Sequence, residues 1–261
     1  YGYANTDRMF SSTIPCVSFE NLDSEEQLKM FMDINENQKK ISKSLRLTLD
    51  EDIYWKDDNI LRRMKALRSG ILNRLSDQPG PLKDILSGGE DRKELSPDFI
   101  NNALLSAPGL LPKVNRNELI DSIGILYNIS NQRPFEEMNR VKKYISDLIT
   151  ELYTYVRDNY EKLWETKKSF IRSNKGTYAL VYVLGSLNRF LTQENELNIK
   201  TNVEDRFSII APYLDLLLKS LDEYLTKGQD PYNVLKIEGS RAKKAWSMFF
   251  ESVINNSYPK F

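Results

Sequence analysis

The chain has 261 residues, 40% of them hydrophobic and 28% charged, with 37 Lys and Arg against 37 Asp and Glu. Balanced charge excludes a strongly basic nucleic-acid coat, so any such binding must use a local patch. No run of about 18 apolar residues exists, which excludes an apolar spanning helix and gives no membrane partner. Histidine is absent and cysteine occurs once, so serine–histidine or cysteine–histidine catalysis cannot be built from this chain alone. A zinc site is equally unsupported, and no metal site is assigned. Cys16, in "TIPCVSF", reads as a buried inert thiol and suits a reducing cytoplasm.

In chain order, "YGYANT" reads as the inside of a helix whose start is missing, and the expectation is a piece of a longer protein. "TIPCVSF" predicts a short buried strand over 13–19, because Val17 and Phe19 favour extended backbone and Pro15 suits a strand start. "NLDSEEQLKMFMDIN" predicts a helix opened by a capping box from Asp23 or Ser24 to Glu26 or Gln27, with Ile34 the last apolar residue and Asn35 the stop. Residues 42–75 are helical again, with stripes at Leu45, Leu49, Ile53 and at Leu61, Met64, Leu67, Ile71, Leu75, broken near "WKDDN". Residues 76–95, dense in Pro and Gly, read as a loop or a domain boundary.

"SPDFINNALLS" restarts a helix with Ser96 as cap and Pro97 at its first position. "APGLLPK" is a second break. Beyond it the runs 115–129, 134–158, 159–171, 175–193, 204–227 and 238–255 all read as helices without sheet. The fold class is therefore mainly α: a remnant of a small α/β unit followed by an all-helical domain. The division is placed at 1–75 and 76–261.

Two stretches carry candidate sites. "FMDINENQKKISKSL" crowds Asn35, Asn37, Gln38, Lys39 and Lys43 behind an apolar helix face. Amides there can close the last helix carbonyls, or with the lysines hold a nucleotide phosphate or a nucleic-acid backbone. In "NILRRMKALRSGILNR", Arg62, Arg63, Lys65 and Arg68 lie on a run with no acid from Asn59 to Arg74. They are either a solvated flank beside the apolar stripe or a phosphate-contacting face. "DEDIYWKDD" reads as surface charge rather than a magnesium or acid–base site. "SNKGTY" lacks the glycine spacing of a phosphate loop and reads as a helix boundary. Trp55, Trp164, Trp246 and most tyrosines read as core.

"YGYANT", "IPCVSFE" and "FMDINENQ", followed by "PGPLKDI" and "LSPDFINNAL", together resemble the segment downstream of the Asp-Gly-Gln-His-Arg box in the DGQHR-domain family, which includes the DndB proteins of bacterial DNA phosphorothioation systems. The likeness covers roughly residues 1–110, and more loosely "GSRAKKAWSMFF" near the end. That family is in turn similar to the ParB and sulfiredoxin superfamily. The resemblance implies a cytoplasmic, bacterial, DNA-associated regulatory or defence protein, with DNA or proteins of a modification system as partners. It implies as alternatives a nucleotide-hydrolysing ParB-like component or a helical protein-interaction module. Asn35 and Gln38 are the positions that would assist a nucleotide, with Mg²⁺, in the full-length protein. The box itself, with its histidine, is not in these residues, so this piece alone would be inactive, and the box is expected just before Tyr1.

Overall fold

The computed structural model describes residues 22–38, 43–88, 93–115, 118–120, 133–166, 170–229 and 241–255. The strand expected over 13–19, Cys16 and "YGYANT" lie outside them. Helices dominate the described residues, and the chain divides into two compact units, 1–40 and 41–261.

In the first unit α1 spans Ser24–Gln38. The capping box forms as the sequence predicts. Glu26 N–H donates to Asp23 Oδ1 at 2.8 Å, and Asp23 N–H donates to Glu26 Oε2 at 3.2 Å. The helix does not stop at Asn35 but runs on to Gln38. Apolar spacing reports only the covered face, and Glu36 and Gln38 are good helix formers that carry the backbone past it.

The second unit begins with α2 (Lys43–Tyr54) and α3 (Ile60–Asp77), followed by α4 (Pro97–Ser106) and a hairpin of β1 (Lys113–Asn115) and β2 (Glu118–Ile120). It continues with α5 (Pro134–Asn159), α6 (Glu161–Glu165), α7 (Asn174–Gln193), α8 (Val203–Thr226) and α9 (Ala242–Ile254). α2 and α3, which the sequence placed before the division at 75, belong to this unit. Three of these helices are capped by side-chain oxygens on backbone donors, whereas Ser96, at the N-cap of α4 as predicted, makes no side-chain cap bond. Asn59 accepts from Leu61 N–H at 2.9 Å, Ser173 from Gly176 N–H at 3.0 Å and Asn202 from Asp205 N–H at 2.8 Å.

α3 packs against α2, α4 and α5, α7 packs against α4, α8 and α9, and α5 packs against α8. One apolar cluster runs through these contacts, with Trp246, Phe250, Leu67, Ile71, Leu152 and Leu184 almost fully buried. The aromatic reading holds in part: Trp246 is 0% exposed and stands 3.9 Å from Phe170, ring centre to ring centre, and Trp164, Tyr153 and Tyr178 are buried, whereas Trp55 and most other described tyrosines are only partly buried against the core.

Two helical readings need correction, and a third reading is narrowed. The run 115–129 is not helical where it is described, because residues 118–120 form β2. The antiparallel register pairs Lys113 with Ile120, Val114 with Leu119 and Asn115 with Glu118. Val114 and Leu119 pack on the core and the alternate positions face water, a period-two signal too short to register beside helical neighbours. Among the described residues of the run 159–171, α6 is short and ends at Glu165, and Phe170 turns the chain. A Cβ on Gly176 would lie 1.8 Å from the Phe170 carbonyl oxygen, so the turn needs glycine at that point. The stretch 76–95 is a loop where it is described beyond Asp77, as read, but it is no domain boundary, since 41–261 form one unit. Leu82, Leu86 and Leu95 are buried, and Ser87 N–H donates to the Leu95 carbonyl at 2.8 Å.

Candidate functional site: a basic-lipped apolar groove

Positions 61, 64, 65 and 68 lie one turn apart on a single face of α3, as the i, i+3, i+4, i+7 spacing requires. That face forms one wall of a groove of about 580 Å³. Leu104 and Leu105 at the end of α4 form the second wall, and Leu111, Pro112, Lys113 and Val114 the third. The floor is buried at Met64, Leu104 and Leu111, yet Leu61 is 50% exposed and Leu105 57% exposed at the lips. The apolar stripe of α3 therefore extends one turn beyond what the fold covers. Exposed leucines are ordinary singly, but a pair flanking an apolar depression is a recognition feature.

Lys65, Arg68 and Lys113 bring three cations to this lining, and no acid among the described residues lines it. Lys65 Nζ lies 4.0 Å from Asp50 Oδ2. Arg68 Nε donates to Asn101 Oδ1 at 3.1 Å. Burial lowers the Arg68 pKa, and Asp50 opposes that shift. Of the other cations singled out in the sequence, Arg62 pairs with Asp57 at 3.1 Å and lies over the Tyr54 ring, 5.5 Å from its centre. Arg63 donates to the backbone carbonyls of Asp57 and Asp58 at 2.8 and 3.0 Å. Arg62 and Arg63 thus fasten the α2–α3 connection, while Lys65 and Arg68 enter the groove.

"DEDIYWKDD" is not surface charge throughout. Asp50 is 3% exposed, and its Oδ1 has no hydrogen-bond partner among the described residues. Burial raises its carboxyl pKa, against the pull of Lys65, Arg46 and Arg68. Glu51 accepts from Lys142 Nζ at 2.9 Å and Asn73 Nδ2 at 2.9 Å, tying α2 to α5 and α3.

The third wall is held from behind by a buried polar chain. Arg206, 1% exposed, donates to Asn188 Oδ1, to the Asn198 carbonyl and, at 2.8 Å, to the Tyr144 hydroxyl. Asn188 in turn donates to the Gly109 carbonyl. The "APGLLPK" turn can press this closely on α7 because two glycines meet there. A Cβ on Gly185 would lie 2.6 Å from the Pro108 carbonyl oxygen, and one on Gly109 would lie 2.8 Å from the Gly185 carbonyl oxygen. Gly109 also has φ +78°, a left-handed conformation that glycine adopts without strain.

The other predicted cluster lies largely outside the described residues. Asn35, Asn37 and Gln38 fall on the last turn of α1 and Lys43 opens α2, but their side chains, and all of Lys39, lie outside the described residues. Sequence reasoning missed Leu105, Leu111 and Lys113. The available signal was "ALLS" followed by "GLLPK", four leucines around a Pro-Gly turn that no single helix face can bury. Among the described residues no group of His, Cys, Asp or Glu could hold a metal ion, and no helix is long and apolar enough to cross a membrane. No family model, curated protein or solved structure matches the chain.

Proposed function

We propose that this chain is a helical protein-interaction module whose working surface is the groove between α3, the end of α4 and β1. The observation that carries this reading is the pair of half-exposed leucines, Leu61 and Leu105, at the lips of an apolar depression flanked by Lys65 and Lys113. A solvated face would not concentrate leucines there, and a phosphate-contacting face would keep its arginines free of protein partners. Arg62 and Arg63 instead serve the preceding loop. The wider setting, a DNA-associated regulatory or defence system, is supported by the DGQHR-like stretches of residues 1–110.

The test has two arms. An anionic apolar fluorophore, anilinonaphthalene sulfonate, binds the wild type and loses affinity in Leu61→Ser/Leu105→Ser. In parallel, binding to a duplex of 20 base pairs is titrated with salt for the wild type and Arg62→Gln/Lys65→Gln. Each lost phosphate contact flattens the slope of log affinity against log salt by about 0.9. Equal slopes with groove-dependent dye binding support the docking module. A flatter slope in the mutant, with dye binding indifferent to the leucines, assigns α3 to DNA instead.

A further inference from the structure

We infer that the groove takes an acidic, leucine-bearing amphipathic helix of a partner protein. This rests on the docking reading above and names the chemistry of its occupant. Three cations, Lys65, Arg68 and Lys113, line the groove, and no carboxylate among the described residues lines it. Asp50 is buried 4.0 Å from Lys65 and also acts on Arg68. One buried carboxylate against three cations leaves a positive surplus on the rim. Lys113 has no ion pair among the described residues, and the Lys65 side chain keeps 46% of its exposure. Rim charges of one sign select a partner of the other and steer its approach.

The apolar lips decide between anionic partners. A nucleic-acid backbone presents phosphates and sugars, which would leave Leu61 and Leu105 against polar groups while desolvating them. A small anionic ligand of the size such a groove holds would sit on the buried floor of Met64, Leu104 and Leu111 and leave the lips in water. A polypeptide that places leucines between the walls and carboxylates at the edges covers both lips and meets Lys65 on one wall and Lys113 on the other. The α3 wall offers contacts at i, i+3, i+4 and i+7. A helix laid along it matches that spacing with its own apolar face, the helix-in-groove mode of recognition.

The probes are three synthetic helical peptides with the same leucine stripe, flanked by glutamate, glutamine or lysine. They are tested by fluorescence anisotropy against the whole chain, with a DNA duplex as competitor. The glutamate peptide is expected to bind tightest, and Lys65→Glu/Lys113→Glu to weaken it on the order of tenfold while improving the lysine peptide. Both lysines are exposed, and an unchanged melting temperature checks that the variant folds. If glutamate and glutamine peptides bind equally, and Leu61→Ser/Leu105→Ser weakens both, the groove docks a protein but its acidic preference is overturned. If no peptide binds and the leucine variant changes nothing, the docking reading falls with it. If the duplex displaces the glutamate peptide and the lysine reversal abolishes duplex binding, the occupant is nucleic acid and the inference is wrong.

Discussion

Asn188, on α7, donates its side-chain amide to the carbonyl of Gly109, in the turn that leads into the groove wall, while its oxygen accepts from the buried guanidinium of Arg206. One side chain thus joins the most deeply buried cation among the described residues to the segment that shapes the groove. Asn188→Ala leaves the Gly109 carbonyl and one arm of Arg206 without these partners. The expected loss is about 1–3 kcal/mol for each buried group left unsatisfied. Urea denaturation measures it. Dye binding in the groove should weaken in the same variant under conditions where it remains folded.

Two glycines with similar backbone angles should respond differently. Gly109 and Gly228 have φ of +78° and +70°. A Cβ on Gly228 would meet nothing within 4 Å, whereas one on Gly109 would press on the Gly185 carbonyl and on Arg189. Gly228→Ala should cost only the left-handed backbone strain, about 1–2 kcal/mol. Gly109→Ala should cost that plus a steric penalty of about 1–3 kcal/mol. Equal thermal shifts for the two variants would show that the turn does not press on α7 as described.

The sequence made the helices legible because their apolar residues recur at three and four and caps are side chains at fixed offsets, as at Asp23. It hid the hairpin, because three-residue strands carry too short an alternation to compete with helical runs on both sides. It hid the groove for a different reason. Leu61 continues the stripe of Met64, Leu67 and Ile71 without a break, so periodicity assigns it to the core. Only packing reveals that the cover stops one turn short. The basic run was visible in the sequence, but not its partition, since Asp57, Asn101 and Asp50 become partners of Arg62, Arg68 and Lys65 only through the fold.

Asp50 should be dispensable for stability. Burial raises its carboxyl, so its contribution is present below the unfolded carboxylate value of about 3.9 and is lost as pH rises through the folded value. At neutral pH the ionised, incompletely bonded group is a net cost. Asp50→Asn is expected to raise stability at pH 7 by about 1 kcal/mol, with the gain shrinking towards pH 4. Urea midpoints of both proteins between pH 4 and 8 test this, and a clear loss at pH 7 would show that the Lys65 pair outweighs desolvation.

Tyr155 and Tyr160, near the end of α5, both donate to Asp215 Oδ1 on α8 at 2.7 Å, and Lys219 lies 3.6 Å from the same carboxylate. Burial alone would raise Asp215, but the two hydroxyls and Lys219 outweigh it and hold it below the usual range. Its contribution is therefore present above the unfolded value and lost as pH falls through the folded one. Burial, with the bond to Asp215, pushes Tyr155 up to about 12 and raises Tyr160 as well. Their contribution is present below the ordinary tyrosine value of about 10 and lost as pH rises through the folded values. Asp215→Asn should cost about 1.5–3 kcal/mol at pH 7 and flatten the acid limb of the stability profile.

The most direct measurement of the docking claim is methyl chemical-shift mapping with the glutamate-flanked leucine peptide. The methyl groups of Leu61, Met64, Leu104, Leu105, Leu111 and Val114 should shift together on a single saturable curve, while those of Leu217 and Leu218, buried in α8, should stay in place. Saturable shifts confined to residues outside the groove, or no shifts at peptide concentrations that saturate an intact site, would contradict it.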